Sequence, residues 1–189
     1  MNVGIMCGSS DMASLESRDS NSEAVYSIAN KGYTFVMGAG ESGSMRDAKE
    51  IIRENGNILI TVGNSLELGR TIADIKVEVS STFERAERIY ENSDVIIFLD
   101  GGTGTLSEFY SFLNNKVETD DKKKELVVVN IDGVYDKVID DLKRRYKEGL
   151  ASNVLKAFKE VRSPEELEAY LGEVEKKLNS SEQERERVR

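Results

Sequence analysis

The sequence predicts an α/β fold: a three-layer arrangement in which a mostly parallel sheet is covered by helices on both faces. Three observations predict it. Short runs rich in Val and Ile alternate with helical patterns along most of the 189 residues, which is the rhythm of βαβ units. The runs are nearly continuous rather than alternating, as strands buried on both faces must be. Three of them end in glycine loops, at Gly8, at Gly38 to Gly43 and at Gly101 to Thr105, and a parallel sheet gathers such loops along its carboxyl edge.

Val3 to Cys7 is the first strand and ends in Gly8-Ser9-Ser10. Asp11 to Asp19 reads as a polar loop, and Ser22 to Lys31 as a helix with Ala24, Val25, Ile28 and Ala29 inward. Gly32 stops that helix, and Tyr33 to Met37 is the second strand. Gly38-Ala39-Gly40-Glu41-Ser42-Gly43 then has the spacing G-x-G-x-x-G, with a helix from Ser44 to Glu54 behind it. The context suits a dinucleotide loop. The third strand, Ile58 to Val62, nevertheless ends in Gly63-Asn64, without the acidic residue that would hold a ribose hydroxyl. NAD is therefore set aside. Gly38, Gly40 and Gly43 are kept as nucleotide contacts, with a purely structural turn as the alternative.

A polar connection containing Glu67 leads to a weakly alternating fourth strand, Ile75 to Val79. Thr82 to Asn92 is a helix capped by Ser80 or Ser81. Phe83, Ala86, Ile89 and Tyr90 form its inward stripe, and Arg85 lies at the edge of that stripe. An arginine there can rest its stem on the core and turn its guanidinium to a cleft; a surface ion pair is the plainer alternative.

The central stretch is Val95 to Phe112, VIIFLDGGTGTLSEFYSF: strand, glycine loop, helix. Such a loop sets unpaired backbone N–H groups at the positive end of a helix, and Gly101, Gly102 and Gly104 let that backbone approach an anion. Glu108 follows one turn in, within reach of whatever the loop holds. Thr105-Leu106-Ser107-Glu108 also reads as a capping box, but a cap requires none of the glycines. Phe109, Tyr110, Phe112 and Leu113 then form a dense aromatic helix face, expected as core or as a subunit contact. Beyond a charged loop, Val117 to Lys124, come a strand at Leu126 to Asn130, a turn at Ile131-Asp132-Gly133 and a helix from Tyr135 to Glu148. Val138, Ile139 and Leu142 point inward on that helix. Phe158 to Val161 is the last strand, and Ser163-Pro164-Glu165-Glu166 opens the last helix. One domain over 1–179 is expected, with 180–189 a charged, disordered tail.

Composition narrows the chemistry. With one cysteine, Cys7, and no histidine, a single chain can build no disulfide, no zinc site and no imidazole acid–base pair. Neither a metal nor a cofactor is expected. Catalysis must run on carboxylates, hydroxyls, Lys or Arg. A formal charge of −9 argues against a nucleic-acid surface. No apolar run reaches the roughly 20 residues that span a bilayer, and the start carries no basic region before its apolar stretch, so no membrane partner and a cytoplasmic setting are expected.

Assembled, these residues resemble the LONELY GUY family of cytokinin-activating phosphoribohydrolases, often labelled lysine decarboxylases. Gly101-Gly102-Thr103-Gly104-Thr105-Leu106-Ser107-Glu108 is similar to that family's P-G-G-x-G-T-x-x-E. Supporting segments are Cys7-Gly8-Ser9-Ser10, the loop from Gly38 with Met45, Phe83-Glu84-Arg85, and Asn130 to Tyr135. The resemblance implies a Rossmann-like homodimer that hydrolyses purine riboside 5′-monophosphates, N6-modified or not, to free base and ribose 5-phosphate. It implies Glu108 and Arg85 as the catalytic pair, with Arg85 keeping Glu108 ionised. It implies Gly101 to Thr105 as the phosphate cradle, and Glu67, Gly8, Ser9, Gly38, Gly40 and Gly43 as further substrate contacts. Three departures stand out. Asp100 replaces the family's proline and sets a negative charge beside the cradle; Ala86 replaces a lysine; and Arg46 follows Met45, where it could return a cation. A nucleotide-binding module without turnover is the alternative these departures raise.

Overall fold

The computed structural model describes residues 1–152 and 154–187. Among them, seven strands form one wholly parallel sheet: β1 (Asn2–Met6), β2 (Thr34–Gly38), β3 (Ile58–Gly63), β4 (Ile75–Glu78), β5 (Val95–Phe98), β6 (Glu125–Val129) and β7 (Lys159–Val161). The order across the sheet is β4-β3-β2-β1-β5-β6-β7. Helices α1 (Leu15–Ala29), α2 (Gly43–Glu54), α3 (Ser65–Leu68), α4 (Thr82–Glu91), α5 (Thr103–Glu118), α6 (Asp136–Lys147) and α7 (Pro164–Arg187) complete it.

The near-continuous apolar strands are explained by two cores, one on each face. Val3, Ile5, Val95 and Ile97 meet α1, α2 and α7. Met6, Ile96 and Phe98 meet α4, α5 and α6. Successive strand residues point to opposite faces, so both must be apolar. Phe109 of α5 is fully buried, with its ring 5.1 Å from Phe98 and 5.5 Å from Phe158; burial of such a ring contributes about 2–3 kcal/mol. Phe112 and Leu113 are buried beside it. These three side chains are therefore spent inside the core.

The direction of winding reverses between β1 and β5, so the loop after β1 enters α1 on one face while the loop after β5 enters α5 on the other. That divergence opens a crevice at the carboxyl edge.

Three expectations require correction. α1 begins at Leu15, not Ser22, because Ser14 caps it, accepting from the Ser17 N–H at 3.2 Å, with Glu16 in the first turn. Phe83 is 87% exposed: β4 is a short, mostly exposed edge strand and Ser80 to Phe83 run along its rim, where no layer covers them. Residues 180–187 continue α7 rather than forming a disordered tail, while 188–189 lie outside the described residues. The Ser180 and Ser181 hydroxyls bond back to the Lys176 and Leu178 carbonyls, and Glu and Arg propagate a helix readily. Among the described residues no helix is long and apolar enough to cross a membrane.

Candidate functional site

The crevice is a cleft of about 300 Å³. One wall is Gly102, Thr103, Gly104, Thr105 and Glu108 from the start of α5; the other is Cys7, Gly8, Ser9 and Ser10 after β1; Gly38, Met45 and Arg85 close it.

α5 starts at Thr103 with Gly102 at its cap position and no side chain bonded there. The capping box read from Thr105 to Glu108 does not form, since Thr105 already lies inside the helix and is buried. The backbone N–H groups of Thr103, Gly104 and Thr105 meet no acceptor among the described residues. They carry the positive end of the helix dipole into the cleft. Gly101 has a different task from its neighbours. A Cβ on it would stand 2.3 Å from Thr105 Oγ1 and 2.9 Å from the Gly8 nitrogen, so it is the point where the two loops cross. The Gly8 N–H donates to the Asp100 carbonyl at 3.2 Å, locking that crossing.

Glu108 is half-buried. Burial pushes its carboxyl above the ordinary glutamate range, and the Arg85 charge offsets part of that rise. The net direction is upward. Among the described residues no ion pair joins the two; Arg85 Nη1 instead lies 3.7 Å from Glu67 Oε1. Glu67 is itself anchored, because its Oε2 accepts the Asn64 N–H at 3.1 Å and closes a capping box on α3. Glu67 thus reaches the cleft through Arg85. Cys7 lines the cleft as a neutral thiol, pushed up to about 12 by burial and partly offset by Lys49.

The G-x-G-x-x-G loop behaves unlike its spacing. Gly38 lines the cleft; Gly40 and Gly43 do not. Gly43 holds φ +55°, and a Cβ there would stand 2.6 Å from the Ser10 carbonyl oxygen. Its N–H donates to Asp11 Oδ1 at 2.9 Å, and the Ser42 hydroxyl donates to the Ser9 carbonyl at 2.6 Å. The loop therefore braces Ser9 and Ser10, which line the cleft themselves. Behind it, buried Lys49 donates to the Gly40 carbonyl at 2.6 Å and to Glu41 at 2.9 Å; nothing in its helical position announced this.

The departures resolve by direction. Asp100 faces away from the cleft, into a separate hollow beside α1, where it accepts the Ser17 hydroxyl at 2.6 Å. Buried Asn21 clamps its backbone, accepting its N–H and donating to its carbonyl, each at 3.0 Å. Arg46 pairs with Asp11 at 3.2 Å and Asp47 at 3.8 Å and returns no cation to the cleft. Ala86 packs against the α4–α5 core. Cys7, Ser10 and Met45 line the cleft although only their segments had been noted; Met6 and Ile89 do so from the core. Among the described residues no three acidic or thiol groups gather as a metal site.

The profile of the SLOG cluster4 family matches residues 1–157. The chain belongs to the SLOG cluster4 family. A probable cytokinin riboside 5′-monophosphate phosphoribohydrolase of Oryza sativa subsp. japonica is 29% identical over 139 residues, 71% of this chain and 60% of its own length. A cytokinin riboside 5′-monophosphate phosphoribohydrolase of Arabidopsis thaliana is 23% identical, over 80% of this chain and 72% of its own. The chain thus spans about three fifths of the rice relative. The names of both relatives agree with the resemblance to the LONELY GUY family. Among solved structures, a Moco carrier protein of Chlamydomonas reinhardtii superposes with a TM-score of 0.69 at 16% identity, covering 93% of this chain and 98% of its own. The molybdenum cofactor binding protein of Rippkaea orientalis does so at 0.65 and 18%, covering 92% and 96%. At these identities the likeness is one of fold.

Proposed function

We propose that this SLOG protein hydrolyses the N-glycosidic bond of a purine riboside 5′-monophosphate, releasing free base and ribose 5-phosphate. One observation carries the reading: Glu108, a carboxylate raised by burial, stands one turn inside the uncapped start of α5, in the cleft that Arg85 also lines. The relatives' names give it its substrate class.

The 5′-phosphate accepts the free N–H groups of Thr103 to Thr105, at the positive end of the helix dipole. The ribose then lies along Gly8 and Ser9, with its anomeric carbon toward Glu108. As the bond to the base lengthens, its electron pair leaves with the base nitrogen, and positive charge grows on the ribosyl ring. The Glu108 carboxylate stabilises that charge and takes the proton of the water that adds to the ring carbon. Burial makes the ionised carboxylate a stronger base, and the Arg85 charge offsets part of that rise. The departing base nitrogen takes a proton from solvent and Glu108 returns the proton it took, so that water, base and sugar balance.

A second reading, a nucleotide-binding module without turnover, draws on the pairing of Arg85 with Glu67 rather than with Glu108. Base release from AMP by the wild type and by Glu108→Ala, with folding checked by circular dichroism, separates the two. The expected result is release by the wild type and a loss of at least about 10²-fold in the folded variant. No release by the wild type, with AMP binding seen by calorimetry, would establish the module instead.

A further inference from the structure

A second cavity, about 180 Å³, adjoins the cleft past Arg85. Glu67 and Asn64 form one side, Val79 the floor, and Ser80, Ser81 and Thr82 the other side; Arg85 faces both spaces. The sheet order explains the continuity. The start of α5 stands over β5, while α3 and α4 follow β3 and β4, with Gly38 of β2 between them. The Arg85 stem lies over Gly38, where an added Cβ would be 3.9 Å from Cδ. The two spaces share Arg85 in their lining, so a ligand anchored by its phosphate at Gly102 to Thr105 would meet this space with its far end. Whole small-molecule sites occupy roughly 300–1,000 Å³, so the cavity suits only part of a ligand.

Its chemistry says which part. Glu67 stands in the wall, and Glu84 lies beside it, accepting the Ser80 N–H and hydroxyl at 2.8 Å each and held below the usual carboxylate range by those bonds. Two carboxylates oppose a second anion despite the helix start. Arg85 at 3.7 Å is too far to hydrogen-bond Glu67 Oε1, which leaves that oxygen open to a donor. The Thr82 hydroxyl has no partner among the described residues, and the Ser81 hydroxyl accepts from Glu84 N–H while keeping its own proton to donate. Val79 is the one apolar residue of the lining. The space therefore fits a neutral group that both donates and accepts.

Resting on the phosphoribohydrolase reading above, we propose that this cavity receives the exocyclic edge of the base and selects an unsubstituted purine amine over an N6-alkylated one. The amine donates to Glu67 and a ring nitrogen accepts from Thr82 or Ser81. An alkyl group removes a donor and sets a chain against groups that are left unpaired.

The test compares kcat/KM for AMP and for N6-isopentenyl AMP in the wild type, Thr82→Val and Thr82→Ser. The wild type is expected to favour AMP by about tenfold or more. Thr82→Val should narrow that preference about threefold through KM, and Thr82→Ser, which keeps the hydroxyl, should restore it. A wild type that favours the isopentenyl substrate, or a ratio indifferent to Thr82→Val, overturns the assignment. Should neither nucleotide be hydrolysed, the hydrolase reading fails separately. The same ratio read from calorimetric Kd values then decides the subsite, and inversion, equality or absence of binding overturns it.

Discussion

Glu108→Gln keeps the shape of the side chain and removes its charge, so it isolates the energetic consequence of the raised carboxyl. Free glutamate titrates near 4.3, and burial lifts Glu108 above its ordinary range in the folded protein. Between those two values the folded state holds more protons than the unfolded one, so stability falls as pH rises through the window and stays low above it. Glutamine has no such dependence. Each unit of elevation corresponds to about 1.4 kcal/mol. Because burial opposes the charged form and Arg85 offsets only part of that opposition, the variant should be the more stable of the two above the window. For a chain of this size each 1 kcal/mol of such a gain is about 2–4 °C in Tm. Thermal unfolding of both proteins by circular dichroism should show the gain at about pH 7.5 and little at about pH 4, where the native carboxyl is protonated. The same variant should fail to release base. An equal gain at both pH values, or a lower Tm at the higher one, would refute the argument that the cleft strains this carboxylate.

Two further outcomes follow from the loops. Gly43→Ala places a methyl 2.6 Å from the Ser10 carbonyl at φ +55°; left-handed strain and overpacking together should cost about 2–4 kcal/mol, read as a lower urea midpoint, with KM rising as Ser9 and Ser10 shift. A midpoint within error of the wild type would show that the loop yields freely. Asp100→Asn removes the charge that stands in place of the family's proline. Because that side chain bonds Ser17 outside the cleft, AMP affinity by calorimetry should change less than about twofold at moderate salt; a tenfold tightening would mean that its charge does reach the phosphate.

Much of the fold was legible because its signals are local. Apolar runs, helix periods and terminating glycines fix strands such as Val95–Phe98 and helices such as Gly43–Glu54 to within a residue or two. Phe83 misled because a helical wheel records spacing and not whether anything lies opposite. The wheel is the same for a turn over the sheet and for one past its edge. The start of α1 was missed for a related reason: one serine cap, Ser14, outweighs a polar composition that resembles a loop.

The candidate site was legible by segment and less so by residue, and the glycines show why. Gly38, Gly40, Gly43, Gly101 and Gly102 look alike in the sequence, yet a glycine is required both where a backbone faces a ligand and where two backbones cross. Gly102 lines the cleft; Gly101, one residue earlier, lies beneath Thr105 and against Gly8. Charge has the same ambiguity. Asp100 and Arg46 flank cleft-lining segments, but Asp100 turns to Ser17 and Arg46 to Asp11, while Arg85, at the edge of an apolar stripe, does face the cleft. Direction is set by partners distant in the chain. The clamp of Asn21 on Asp100 joins residues 79 apart, and no pattern within either segment encodes it. A spacing motif therefore locates the chemistry to a loop, and the long-range contacts of that loop decide which of its residues take part.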